Sequence, residues 1–323
     1  MKLLLIGVGR WGKNHLQTLV QLVDELFVAD SDPDQLRTCN EFSIPPDHLS
    51  TNYFEFLDVV EGVDIVTPAD SHLSISKECF KKGKDVFVEK PIALTSKEAK
   101  SMINEAEKRG LILQVGHIYR YHPAVSKIKT FLKEGKLGTI RYAYGHFMGF
   151  KRPRMDVGVT QTDAIHFFDL FNYIFGRPPQ AVRAMVKHYL NLPLDDTSIS
   201  VLEYGEKMVL VESSYLPPEK RRDISIIGDK GSIYCDFQKN SLFFYENRHE
   251  KQSGKWVAIE GKCSEIPIGS EKPLAIELKT FLESIETRKR PLADGQAGYE
   301  ALKVVEACYQ SSQHGKRIEI EWN

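Results

Sequence analysis

No stretch of this 323-residue chain holds the roughly 18–20 consecutive apolar residues that cross a bilayer. The opening Met1-Lys2-Leu3-Leu4-Leu5-Ile6 is interrupted by Gly7, too early for the apolar core of a secretion signal. An excess of one charge is lacking too: 43 Lys+Arg stand against 44 Asp+Glu, a net charge of −1, without the basic surplus of nucleic-acid binders. Cysteine is sparse. Cys39, Cys79, Cys235, Cys263 and Cys308 are odd in number and contain no C-x-x-C pair, which excludes a zinc ribbon by spacing and argues against a secreted disulfide framework. Internal repeats and low-complexity segments are also missing. These absences predict a cytoplasmic globular protein with neither membrane nor nucleic acid as partner. What is present, 42% hydrophobic and 27% charged residues, is ordinary, and the length suits two domains.

Two grammars divide the chain. Up to residue 118, short apolar runs alternate with helical patterns: Leu3–Ile6, Leu26–Ala29, Val63–Val66, Asp85–Val88 and Leu111–Val115 read as strands, Ser71–Lys82 and Ser96–Arg109 as helices. Such alternation predicts parallel strands with helical crossovers, a doubly wound sheet. From Tyr119 onward, strand candidates crowd together with short turns (Ala181–Tyr189, Thr197–Tyr204, Lys207–Tyr215, Asp223–Ile227, Gly231–Phe237, Ser241–Tyr245). They predict a large, mostly antiparallel sheet. The expected fold is α/β, with a dinucleotide-binding domain at 1–118 and a second α/β domain, for substrate and oligomer contacts, at 119–323.

Gly7-Val8-Gly9-Arg10-Trp11-Gly12 is a G-x-G-x-x-G between the first strand and the first helix. Glycine is needed at each place: for the tight turn, for close backbone approach to a pyrophosphate, and for helix–strand packing. The helix N-terminus then offers N–H groups to the phosphates. Asp30, 18 residues beyond Gly12, ends the second strand, where a carboxylate accepts from ribose hydroxyls and repels a 2′-phosphate. The expected cofactor is NAD rather than NADP. Three more segments fall at strand ends, where doubly wound sheets bind ligands: Thr67-Pro68 with His72, Glu89-Lys90-Pro91, and Val115-Gly116-His117. Glu89-Lys90-Pro91 is the most specific, projecting a lysine toward the expected nicotinamide.

These motifs, with His166 and Ile226–Ser232, resemble the Gfo/Idh/MocA family of nicotinamide-dependent sugar and polyol oxidoreductases over essentially the whole chain. Within it, Trp11–Asn14, Gly116–Val125 and Arg152–His166 look most similar to the UDP-N-acetylglucosaminuronate 3-dehydrogenase-like branch. The resemblance implies a Rossmann domain followed by an α/β domain with an open sheet, and a homodimer or homotetramer. It also implies that Lys90 and His166 flank the reacting carbinol. Hydride loss from an alcohol needs a base and a donor that holds the developing oxyanion. Either residue suits the base, and His166 is favoured, with Lys90 stabilising the oxyanion. The family's usual Asp four residues before this His is Thr162 here; Asp163, three before, shares the helical face and is the expected orienting acid.

Arg152, Arg154 and Asp156, in a loop before that helix, are candidates for a carboxylate or diphosphate of the substrate. Tyr119, Arg120 and His122 are candidates where the chain leaves the first domain. Asp163, His166 and Asp169 recur every three residues, but Asp163 and Asp169 lie about 240° apart on a helix, so no metal is expected. The expected reaction is hydride exchange with a sugar or nucleotide-sugar ring carbinol. Alternatives are a free-sugar or inositol dehydrogenase, an NAD-dependent glycoside hydrolase, or a non-catalytic sugar sensor.

Overall fold

The computed structural model describes residues 1–322. They form two compact units: residues 1–118 with 272–302, and 119–271 with the remainder. No helix among the described residues is long and apolar enough to cross a membrane.

The first unit is a six-stranded sheet of β1 (Lys2–Ile6), β2 (Glu25–Ala29), β3 (Leu49–Ser50), β4 (Gly62–Ile65), β5 (Asp85–Val88) and β6 (Leu113–Val115). The order is β3-β2-β1-β4-β5-β6 and every pairing is parallel. Chain direction across the sheet reverses between β1 and β4, the switch point at which such sheets bind dinucleotides. The strands are buried on both faces, as fully covered parallel strands must be. Crossovers include α1 (Gly12–Leu19), α2 (Pro33–Arg37), α3 (Ala69–Lys81) and α4 (Ser96–Lys108). The last starts on a capping box, Thr95 and Glu98 each satisfying the other's backbone N–H.

Residues 272–302 were expected in the second domain, but they pack with the first. Leu274, Leu278, Phe281 and Leu282 are buried in one core with Leu3, Leu16, Val28 and Phe87. The helix carrying them, Pro273–Thr287, places these residues on one face by its 3.6-residue period. Burial against the Rossmann sheet overrides proximity in sequence.

The second unit holds α5 (Pro123–Lys133), β7 (Ile140–Met148), α6 (Ile165–Phe175), β8 (Ala181–Lys187), β9 (Thr197–Tyr204), β10 (Lys207–Ser214), β11 (Arg221–Gly228), β12 (Ser232–Asp236) and β13 (Ser241–Tyr245). The hairpin β14 (Arg248–Gln252) and β15 (Lys255–Ile259) stands as its own small sheet, and β16 (Cys263–Glu265) follows. Then come α7 (Pro273–Thr287), already placed in the first unit, α8 (Gly295–His314), whose residues up to Leu302 belong to the first unit, and β17 (Ile318–Glu319). The large sheet runs β16-β13-β12-β11-β7-β10-β9-β8-β17, with β7–β10 parallel and every other pair antiparallel. Thr197–Tyr204 alternates strictly between half-buried and buried, as a strand with one covered face requires.

Candidate active site

In the first unit the glycines of the fingerprint differ in what constrains them. Gly7 has φ +95°, and an added Cβ would lie 2.8 Å from the Val66 carbonyl oxygen. At Gly12 a Cβ would fall 2.0 Å from the Gly7 carbonyl oxygen, so packing forbids any side chain there. At Gly9 a Cβ would meet nothing within 4 Å. Two glycines are thus required by the fold, whereas the middle one leaves room for something the chain does not supply. Open backbone at a helix N-terminus fits a pyrophosphate.

Asp30 accepts the Val8 N–H at 2.8 Å on Oδ2 and the Asp32 N–H at 2.9 Å on Oδ1. Each oxygen keeps a lone pair for a ribose hydroxyl. Val8 has its side chain buried and its N–H committed to Asp30, so it supports the turn rather than a ligand. Arg10 is exposed, as is Trp11 at 43%. Thr67 is half-buried and Pro68 exposed at the end of β4, with the Thr67 hydroxyl 2.7 Å from that of Ser71.

His72 and Glu89, expected as direct cofactor contacts, are instead internal. His72 is 1% exposed, its ring nitrogens each 2.9 Å from the Thr67 and Pro91 carbonyl oxygens, and burial lowers its pKa. It braces the two loops from beneath. Glu89 is buried and accepts from the Trp11 indole at 2.8 Å and the Lys90 N–H at 3.0 Å, with His15 Nε2 at 3.2 Å. His15 is held on its other side by Asp64, 2.7 Å away. Burial lowers the His15 pKa, but the Asp64 charge and the hydrogen bonds to both acids outweigh it and raise it to about 10. Lys90 itself is half-buried and joined to Pro91 by a cis peptide.

In the second unit His166 is 8% exposed near the start of α6. Its ring stacks on Phe147 (centroids 5.1 Å, planes at 17°) and meets the edge of Tyr119 at 5.3 Å. The Arg222 guanidinium lies 3.7 Å from the Phe147 ring centroid, a cation–π contact. Thr160–Ala164 forms a π-helical turn leading into α6. Asp195 explains it: Oδ2 accepts the Thr160 N–H at 2.8 Å and its hydroxyl at 2.6 Å, while the Tyr309 hydroxyl donates to Oδ1 at 2.9 Å. Gly158 is needed there because a Cβ would lie 1.6 Å from Asp195 Oδ1.

The expected helpers of His166 and of substrate divide. Asp163 is buried and pairs with Lys151 at 2.6 Å, a lysine the sequence reading missed. Thr162 bonds the Tyr215 hydroxyl at 2.7 Å. Arg120, expected at substrate, is committed to a buried bidentate pair with Asp169, with 2.9 and 2.6 Å contacts, and lies over Tyr173. His122 caps α5 by accepting the Ala124 N–H at 3.2 Å; burial lowers its pKa to about 4, leaving it neutral and structural. Arg154 Nε donates to Asp156 at 2.7 Å, which neutralises part of the charge expected for an anion. Arg152 is exposed.

A parallel sheet with an open glycine turn at its switch point and an acid closing the second strand defines a dinucleotide-binding scaffold. Residues 1–117 match the oxidoreductase family's NAD-binding Rossmann fold, and 129–320 its C-terminal alpha/beta domain. The chain belongs to the Gfo/Idh/MocA oxidoreductase family. It is 26% identical to UDP-N-acetylglucosamine 3-dehydrogenase of Acidithiobacillus ferrooxidans over 92% of each chain. It is 24% identical to myo-inositol 2-dehydrogenase of Thermotoga maritima over 99% of each. Among solved structures, levoglucosan dehydrogenase in complex with NADH and levoglucosan shares the fold at TM-score 0.86 and 19% identity, all of both chains covered.

Proposed function

We propose that this enzyme transfers a hydride between NAD and a ring carbinol or ketone of a sugar, with a nucleotide-linked sugar as the favoured substrate. The observation that carries the cofactor reading is Gly9, open to 4 Å between two glycines the fold requires. Gly7–Gly12 would hold the pyrophosphate and Asp30 the adenosine ribose, which favours NAD over NADP. The bound cofactor supplies the hydride acceptor. His166 takes the hydroxyl proton, and the Lys90 ammonium donates to the developing oxyanion. The stack on Phe147 and the edge of Tyr119 hold the imidazole in one orientation, which shortens the search for a productive geometry.

The similarity to a UDP-sugar dehydrogenase supports the nucleotide-linked substrate, with Arg152 and Arg154 as its anion contacts. A neutral polyol is the second reading, favoured by the Arg154–Asp156 pair and by the inositol dehydrogenase relative. NADH formation measured against UDP-sugars, free sugars and inositols decides between them. Lys90→Ala and His166→Ala are each expected to lose at least about a hundredfold in kcat while NAD binding persists. Asp30→Ala is expected to relax the preference toward NADP. Unchanged rates or unchanged preference refute the corresponding assignment.

We also propose a homo-oligomer joined through the open face of the large sheet. Tyr142, Met185, Met208 and Leu210 are exposed there at 46%, 57%, 56% and 37%, and Met208 pairs directly with Tyr142 across β7–β10.

A further inference from the structure

The reaction assigned to Lys90 leaves one cluster unexplained: the exposed Trp11 with the buried His15, Asp64 and Glu89. Three of its members are ionisable and buried, which is costly unless each is compensated. The chain Asp64···His15···Glu89, at 2.7 and 3.2 Å, joins β4 to α1 and then to the end of β5. Trp11, inside the glycine-rich turn, adds a 2.8 Å bond to the same Glu89 oxygen that faces His15. The other oxygen of Glu89 accepts the Lys90 N–H at 3.0 Å. Space for this carboxylate is made by Gly116 at the end of β6, where a Cβ would lie 2.7 Å from the carboxyl carbon. The carboxylate is therefore fixed from several elements at once, and the residue it grips is the one that carries the reactive amine.

We propose that Glu89 is a positioning residue that aims Lys90 and holds its amine charged, and that Trp11 and His15 lock that carboxylate to the dinucleotide-binding turn. The proposal rests on the reading of Lys90 as the oxyanion partner. A fixed anion one residue away favours the ammonium form needed to donate to an oxyanion. The attraction is mutual: although burial pushes the Glu89 pKa up, its bond to His15, the His15 and Lys90 charges and the Trp11 bond hold it below the usual carboxylate value. The other ionisable groups coupled to Glu89 are His15 and Asp64, in α1 and β4, and His72 in α3, whose pKa burial lowers. Without the His15 charge between them, Glu89 and Asp64 would be two unscreened buried acids, and one would take up a proton. His15 thus keeps Glu89 ionised.

The test compares Glu89→Gln, which preserves shape and removes the charge, with the unaltered protein. Lysines are reductively methylated with 13C-formaldehyde and titrated by NMR without cofactor, the Lys90 signal being assigned by its loss in Lys90→Arg. The expected result is a Lys90 pKa lowered by about half a unit or more in Glu89→Gln. In steady-state kinetics, kcat is expected to fall about tenfold or more with the KM for NAD within about threefold. A Lys90 titration that superimposes on that of the parent overturns the proposal, whatever the rates. Should Glu89→Gln fail to fold, Trp11→Phe removes a donor to Glu89 at an exposed position. A several-fold lower kcat at unchanged melting temperature supports the proposal, and an unchanged kcat overturns it. Full activity in Lys90→Ala would refute the catalytic reading of Lys90 instead, leaving the titration to report on Glu89 separately.

Discussion

Gly9 and Gly12 look alike in sequence and answer to different masters. A methyl group at Gly12 would overlap the Gly7 carbonyl oxygen, so Gly12→Ala is expected to displace the turn and destabilise the first unit. A methyl group at Gly9 meets only open space, so Gly9→Ala is expected to keep the melting temperature while weakening NAD binding at least about tenfold. Thermal melts paired with cofactor titration separate the two effects; equal loss of stability in both variants contradicts the distinction. His15 makes a second residue-scale prediction. Its folded pKa is raised to about 10, so its contribution is complete below the unfolded value of about 6.5 and is lost as pH rises through 10. The folded state then binds more protons than the unfolded one across that window. Stability relative to His15→Gln should fall by up to about 1.4 kcal/mol per pH unit between pH 7 and 9, read by urea unfolding. A flat difference would show that His15 is not cationic in the fold.

At the scale of elements, α7 is the clearest test of packing against sequence order. Phe281 is fully buried and lies edge-on to Phe87 at 5.8 Å, both in the first unit's core. Phe281→Ala should cost about 3–5 kcal/mol, measured by denaturant unfolding, although the residue lies far along the chain from the sheet it supports. A cost below about 1 kcal/mol would contradict this placement. The same helix shows where sequence reading stops. Its amphipathic period is local information, but period alone does not say which sheet its apolar face will cover. β9 was legible to its bounds because a run rich in Thr, Ile, Val and Tyr that stops at Gly205 is local information. β14 was missed because Arg248–Gln252 is polar on both faces, and without it β15 had no partner strand to pair with. The fingerprint turn and the strand end before Lys90 were readable because turn, strand end and helix start lie within a few residues. Phe147 and Arg222 were not, since they meet through the β7–β11 register across 75 residues. Arg120 misled for the same reason: its partner Asp169 lies 49 residues away on α6, and nothing local separates a structural arginine from one awaiting substrate.

For the whole molecule, the proposed homo-oligomer rests on the apolar residues of the large sheet's open face and on a net charge near zero, which gives no charge-steered docking. Apolar side chains exposed together on one sheet face are uncommon unless a partner covers them. Met208→Glu with Tyr142→Glu is expected to shift the assembly toward monomer in light scattering, with the fold retained by circular dichroism. An unaltered mass would place any interface elsewhere. The division of the first unit into two separated segments has another outcome, during synthesis. Residues 1–118 leave the ribosome without α7, and the groove that Phe281 and Leu278 fill stays open until residue 302 has been made. At about 5–20 residues per second that delay is roughly 10–40 s. For that interval a nearly finished parallel sheet presents an apolar groove to every neighbouring nascent chain, so the yield of this protein in a cell should depend on chaperone supply more steeply than its final stability suggests.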